Sequence, residues 1–171
     1  MSAPEPGASR AQAVETAWRI HAELGNWTAK VDAKASFALT LASAAIAGVI
    51  ALSTDDHVLA NLEGWGRALL WVGTVFILAS GIFAMLVVVP RLRARKVKEE
   101  APSNFIYFGH LMHREPGELA AALEKTDVLP VLSRQLIAMS KITWGKHRHV
   151  QWSFITFGLG AGLVFLAGLS G

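Results

Sequence analysis

There is no cysteine in the 171 residues. That excludes a disulfide framework, thiolate chemistry and any zinc site built on paired cysteines. Charge is also short: Asp, Glu, Lys and Arg make up 17% of the chain against 53% hydrophobic residues, where an ordinary soluble domain carries about 25% charge. The shortage falls in blocks. Three windows, Ala35 to Thr54, Ala68 to Pro90 and Val150 to Gly171, contain no Asp, Glu, Lys, Arg or His. Each is about 20 residues long, enough for a helix to cross a hydrocarbon layer roughly 30 Å thick. Three buried helices of a soluble protein would need more covering chain than remains here. The signatures of catalysis are missing as well. There is no Walker lysine loop, no GxGxxG after a strand and no nucleophile elbow. His110 with His113 and His147 with His149 are close pairs, but no second ligand set completes a metal site. The uncharged spans exclude a proton relay or a charge-lined ion pathway. A protein that is not an enzyme, with no cofactor and no metal, is expected.

What is present is a membrane protein with one basic side. The expected class is all-α, with three transmembrane helices and a cytoplasmic helical stalk. Its segments are a disordered N-terminus 1–9, a cytoplasmic helix 10–35, a first span 36–54, an extracytoplasmic loop 55–66, a second span 67–90, a cytoplasmic helical region 91–149 and a third span 150–170. Arg10, Arg19, Lys30 and Lys34 precede the first span, the run RLRARKVK follows the second, and Lys141, Lys146 and Arg148 precede the third. The 55–66 loop has Asp55, Asp56 and Glu63 but no Lys or Arg. Basic flanks mark the cytoplasmic side, so the N-terminus is expected inside and the C-terminus outside an inner (plasma) membrane. The first apolar run starts too far in for a cleaved signal peptide. Of the net charge of +3, the basic share lies near the bilayer, where anionic lipid attracts it without any nucleic acid.

The cytoplasmic parts read as helices. Ile20, Leu24, Trp27, Val31 and Ala35 recur at spacings of three and four, giving one apolar stripe that needs a protein partner. No proline lies between Pro6 and Pro90, so nothing forces a break before the first span. EPGELAAALEKTD is a short helix with an acidic first turn, and Pro130 suits the start of a long helix bearing Val131, Leu132, Leu136, Met139 and Ile142. Ala44 with Gly48 and Gly158 with Gly162 give small-xxx-small spacing for close helix packing. From position alone, Asp32 is a carboxylate salt-bridged to a neighbouring cation, and Lys34 snorkels to lipid headgroups.

HAELGNWTAKVDAKASF before the first span, SNFIYFGHL after the second and QLIAMSKITWGKHRHV before the third resemble the Pycsar transmembrane effector family. The motifs carrying the resemblance are Asn26, Trp27, Val31, Asp32, Lys34, Ala35 and Ser36 in the first and Tyr107, Phe108, Gly109 and His110 in the second. The resemblance implies bacterial anti-phage defence. A pyrimidine cyclase makes cyclic UMP or cyclic CMP on infection, and the effector responds by impairing the inner membrane in abortive infection. No cyclic-nucleotide-binding β-barrel is present, so the helical stalk itself has to read the ligand. Lys34, Lys141 and Lys146 are candidates to meet its phosphate. Trp27 or Tyr107 would stack on the base, and Asn26, Asp32, His110 or Gln135 would read its polar edges. Membrane lipid and further copies of the chain in a homo-oligomer are the other expected partners, and the alternative is a scaffolding membrane protein recruiting a cytoplasmic partner.

Overall fold

The computed structural model describes residues 6–54, 57, 59–89 and 94–170, of which 6–8 and 94–96 as backbone. The first five residues of the segment read as disordered, Asp55 and Asp56 of the acidic loop, and Arg91 and Arg93 of the basic run lie outside these. Among the described residues six helices follow one another: α1 Pro6–Leu52, α2 Gly64–Val88, α3 Ala94–Glu100, α4 Phe108–Leu111, α5 Pro116–Lys125 and α6 Val128–Leu169, with a 3₁₀ turn Ala101–Ser103 after α3. No strand occurs among the described residues, and the protein is all-α. The described part of α1 reaches back to Pro6, inside the segment 1–9, and a proline in a first turn gives up only an N–H that has no intrahelical partner.

Three helices are long and apolar enough to cross a membrane, within Ser9–Leu52, Gly64–Val88 and Val128–Leu169. Only 17%, 28% and 17% of their most apolar windows are buried, so most of that surface faces outward. Phe37, Trp71, Val75, Ile82 and Phe165 are all at least 59% exposed. In water such a surface would drive association, and in lipid it is the ordinary exterior. The chain is a membrane protein.

It divides into two compact units, to which α1 and α6 each contribute. One comprises the described residues of Ala29–Pro90 and Trp144–Gly171. Its logic is read most easily on α2, where Gly66, Leu70, Gly73, Ile77, Ser80, Ala84 and Val87 are buried. The alternating spacing of four and three is the seam of a left-handed helix pair. α6 answers with buried Val150, Ser153, Thr156, Gly160 and Ala167. The closest approach is at two glycines: a Cβ on Gly73 would lie 2.8 Å from the Gly160 carbonyl oxygen, and one on Gly160 2.7 Å from that of Gly73. Seven residues along, the Ser80 and Ser153 hydroxyls are 3.1 Å apart and Ser153 donates to the Ser80 carbonyl at 2.9 Å. Val31, Ala35, Val87 and Val150 form one apolar cluster, and Leu59, Leu62, Leu70 and Ala167 another.

The close-packing pairs expected from the sequence are not the ones used within the chain. Gly48, Gly158 and Gly162 have open space where a Cβ would go; on α6, Gly158 and Gly162 are turned away from the face that buries Gly160. The apolar stripe expected on α1 is also displaced. Leu24, Val31 and Ala35 are buried, but Ile20 and Trp27 are 45% and 49% exposed, and Ala17, Ala38 and Ala42 take their places. The buried line follows small residues, which a search for bulky apolar side chains passes over.

The other unit comprises the described residues of Met1–Thr28 and Arg91–Thr143. Thr28 and Thr143 bring α1 and α6 together through hydroxyls 2.9 Å apart, and Arg10 pairs with Asp127. Asp127 also caps α6, accepting the Leu129 N–H at 3.2 Å. α3, the 3₁₀ turn and α4 pack on one another. Two arginines fix this turn by donating to successive carbonyls: Arg114 to Ala101 at 3.0 Å and to Pro102, and Arg134 to Ser103 at 3.0 Å. Irregular backbone is thereby satisfied without a regular element.

Candidate functional site

The YFGH motif is a single turn of helix built around a buried imidazole. The His110 side chain is 8% exposed. Tyr107 sets its ring edge-on to the imidazole with centroids 5.4 Å apart and lies 4.4 Å from the Phe108 ring. This arrangement explains the glycine between them: a Cβ at Gly109 would fall 2.5 Å from the Tyr107 ring and 3.2 Å from Val97. His110 Nε2 stands 3.7 Å from a Glu100 carboxylate oxygen. Its Nδ1 is buried without a hydrogen-bond partner among the described residues, which is uncommon for a buried polar atom.

Beside this turn lies a cleft of about 590 Å³ lined by Lys98, Ala101, Pro102, His113, Arg114 and Glu118. That volume falls in the range of small-ligand sites, but the cleft lies open to its surroundings rather than enclosed. Arg114 is occupied in holding the 3₁₀ turn. The side chains of Lys98 and His113 have no hydrogen bond or ion pair among the described residues, and both residues line the cleft.

In the unit that holds the seam, Asp32 and Lys146 form a two-pronged ion pair between α1 and α6. Lys146 Nζ lies 2.6 and 2.8 Å from the two Asp32 oxygens. Phe83 and His149 rings meet nearby in the same unit, centroids 6.4 Å apart. Lys34 is exposed.

A family model described as the Pycsar effector protein domain matches residues 16–170. The chain belongs to this family. Comparison with curated proteins found no match, and neither did comparison with solved structures. The matched span takes in residues of both units, so the Pycsar effector domain is the whole helical assembly. As a Pycsar effector the protein serves anti-phage defence and works at a membrane.

The nine residues singled out from the sequence of this Pycsar effector are divided between the units. Asn26, Trp27, Tyr107, His110, Gln135 and Lys141 fall in one, Asp32, Lys34 and Lys146 in the other. The structure brings together Tyr107 with His110 and Asp32 with Lys146. Asn26, Trp27 and Lys141 are exposed and Gln135 is half-buried. Among the described residues no hydrogen bond, ion pair or ring contact joins these four to another of the nine. Sequence reasoning passed over Lys98, Arg114 and Glu118, and treated His113 only as half of an incomplete metal pair. The available signal was the end of a basic run, a histidine pair and an arginine within sixteen residues of one another, spread over three short elements.

Proposed function

We propose that the protein is a non-enzymatic effector of anti-phage defence, activated by cyclic UMP or cyclic CMP to impair the inner membrane and so cause abortive infection. It crosses the membrane three times, with the N-terminus in the cytoplasm, and acts as a homo-oligomer. The observation that carries this reading is the continuity of α1 and α6. Each is one uninterrupted helix, of 47 and 42 residues, where about 20 suffice to cross a bilayer. A ligand held in the unit of Met1–Thr28 and Arg91–Thr143 therefore acts on the same two helices that supply spans.

The ligand works by binding one arrangement of those helices more tightly than another. Turning a mostly silent population into a mostly active one needs on the order of 5 kcal/mol of differential affinity, which several sites in an oligomer supply together. The uncharged spans fit a wide, unselective lesion better than an ion-selective pore.

The test is to express the protein in cells carrying a membrane-potential dye and to induce a pyrimidine cyclase. The potential should collapse when cyclic UMP or cyclic CMP accumulates, and should hold when the cyclase is catalytically dead. A potential that stays intact with both protein and nucleotide present rules this reading out, and stable capture of a cytoplasmic protein without nucleotide would replace it with a scaffold.

A further inference from the structure

We infer that the cleft between α3, the 3₁₀ turn and α5 is a binding site for a phosphodiester monoanion, with Lys98 and His113 as its anion contacts. The inference rests on the proposed function for the identity of the ligand, a cyclic pyrimidine nucleotide, and on the cleft itself for its place. The charged side chains of the lining divide by what else they do. Arg114 spends its donors on the carbonyls of Ala101 and Pro102 and so shapes the wall. Lys98 and His113 make no side-chain hydrogen bond or ion pair among the described residues, and both line the cleft. A pair of uncommitted nitrogen donors on a wall held by an arginine is suited to a singly charged phosphodiester.

Glu118, on the first turn of α5, is the one carboxylate of the lining among the described residues. A carboxylate would repel a bare phosphate, but it accepts from a ribose 2′-hydroxyl, as acidic side chains do in dinucleotide sites. The mixed lining thus favours a ligand with both a phosphodiester and a sugar hydroxyl. α4, which packs on α3 and the 3₁₀ turn, supports the wall from behind: its His110 is buried and is not part of the lining. The nine residues expected from the sequence include neither Lys98 nor His113, and these two belong to a different unit from Asp32, Lys34 and Lys146.

A phospholipid headgroup carries the same phosphodiester, and the experiment separates the two sources. Full-length protein in neutral phosphatidylcholine nanodiscs is titrated calorimetrically with cyclic UMP, cyclic CMP and glycerophosphoglycerol, the headgroup of phosphatidylglycerol without its acyl chains. The variants are Lys98→Ala, His113→Ala, Lys98→Arg and, as a control away from the cleft, Lys125→Ala. Loss of a charge-assisted contact should weaken nucleotide binding by about tenfold or more in the two alanine variants, with Lys98→Arg close to wild type and Lys125→Ala unchanged. If the wild type binds nucleotide and both alanine variants bind it equally well, the cleft is not the site, although the proposed function stands. If only glycerophosphoglycerol binds, and binding needs Lys98 and His113, the cleft holds as a lipid-headgroup site and the nucleotide reading falls. Binding of none of the three probes overturns the cleft.

Discussion

At the scale of single residues the informative pair is Asp32 with Lys146. Their side chains are 39% and 23% exposed, so solvent screens the pair and its worth is about 1 kcal/mol or less. Lys146 keeps an exit, since a lysine stem can lie along apolar surface while its ammonium reaches water. Asp32→Ala should therefore lower the melting temperature of the detergent-solubilised protein by only a few degrees, about 2–4 °C for a loss of 1 kcal/mol. The exchange Asp32→Lys with Lys146→Asp discriminates between two roles. A tie between α1 and α6 is restored by the exchange, and melting temperature and nucleotide-triggered depolarisation should both return. A carboxylate that itself reads the base is not restored, and stability would return without the response. Lys34, exposed in the same turn of α1, fits the lipid-facing collar that its position suggests.

At the scale of elements the decisive feature is the α2–α6 seam. Gly73 and Gly160 meet backbone to backbone, so an alanine at either forces the helices apart. Gly73→Ala or Gly160→Ala should cost about 1–3 kcal/mol, the range of overpacked cores, measured as thermal unfolding in detergent. Gly158→Ala and Gly162→Ala meet nothing within 4 Å and should be neutral, or stabilising by up to about 1 kcal/mol through helix propensity. Equal destabilisation at all four positions would refute this assignment of the packed face. The contrast also marks what the sequence could convey. The helices were legible because runs without charge and stripes at helical spacing are local properties of the chain. Which glycines touch was not, since Gly73 is alone in its stretch of α2 while Gly158, Gly160 and Gly162 look alike, and only the register of α6 against α2 selects Gly160. That Asp32 would pair with a cation was legible from its position, but that the cation is Lys146 was not, and neither was the cleft, for the same reason. Their partners are distant in sequence, or spread over α3, a 3₁₀ turn and α5, and no periodicity connects them.

At the scale of the whole molecule, sensing a nucleotide made in the cytoplasm requires the Met1–Thr28 and Arg91–Thr143 segments to be on the cytoplasmic side. The distribution of charge supports this, since the segment between the first two spans has acidic residues and no Lys or Arg, while the stretches before the first span, after the second and before the third are basic. The lack of native cysteine makes the orientation directly measurable, because any introduced thiol is the only one present. Thr54→Cys and Ser170→Cys, both exposed at span ends, should react with a membrane-impermeant maleimide in intact spheroplasts. Ser9→Cys and Lys125→Cys, exposed in the other unit, should react only after lysis. An odd number of crossings puts Ser9 and Ser170 on opposite sides, so their labelling together in intact spheroplasts would contradict three spans. The reverse pattern, with Ser9 and Lys125 labelled from outside, would keep three spans but place Lys98 and His113 where a cytoplasmic nucleotide never arrives. That single result would overturn the proposed activation even if the purified protein bound the nucleotide.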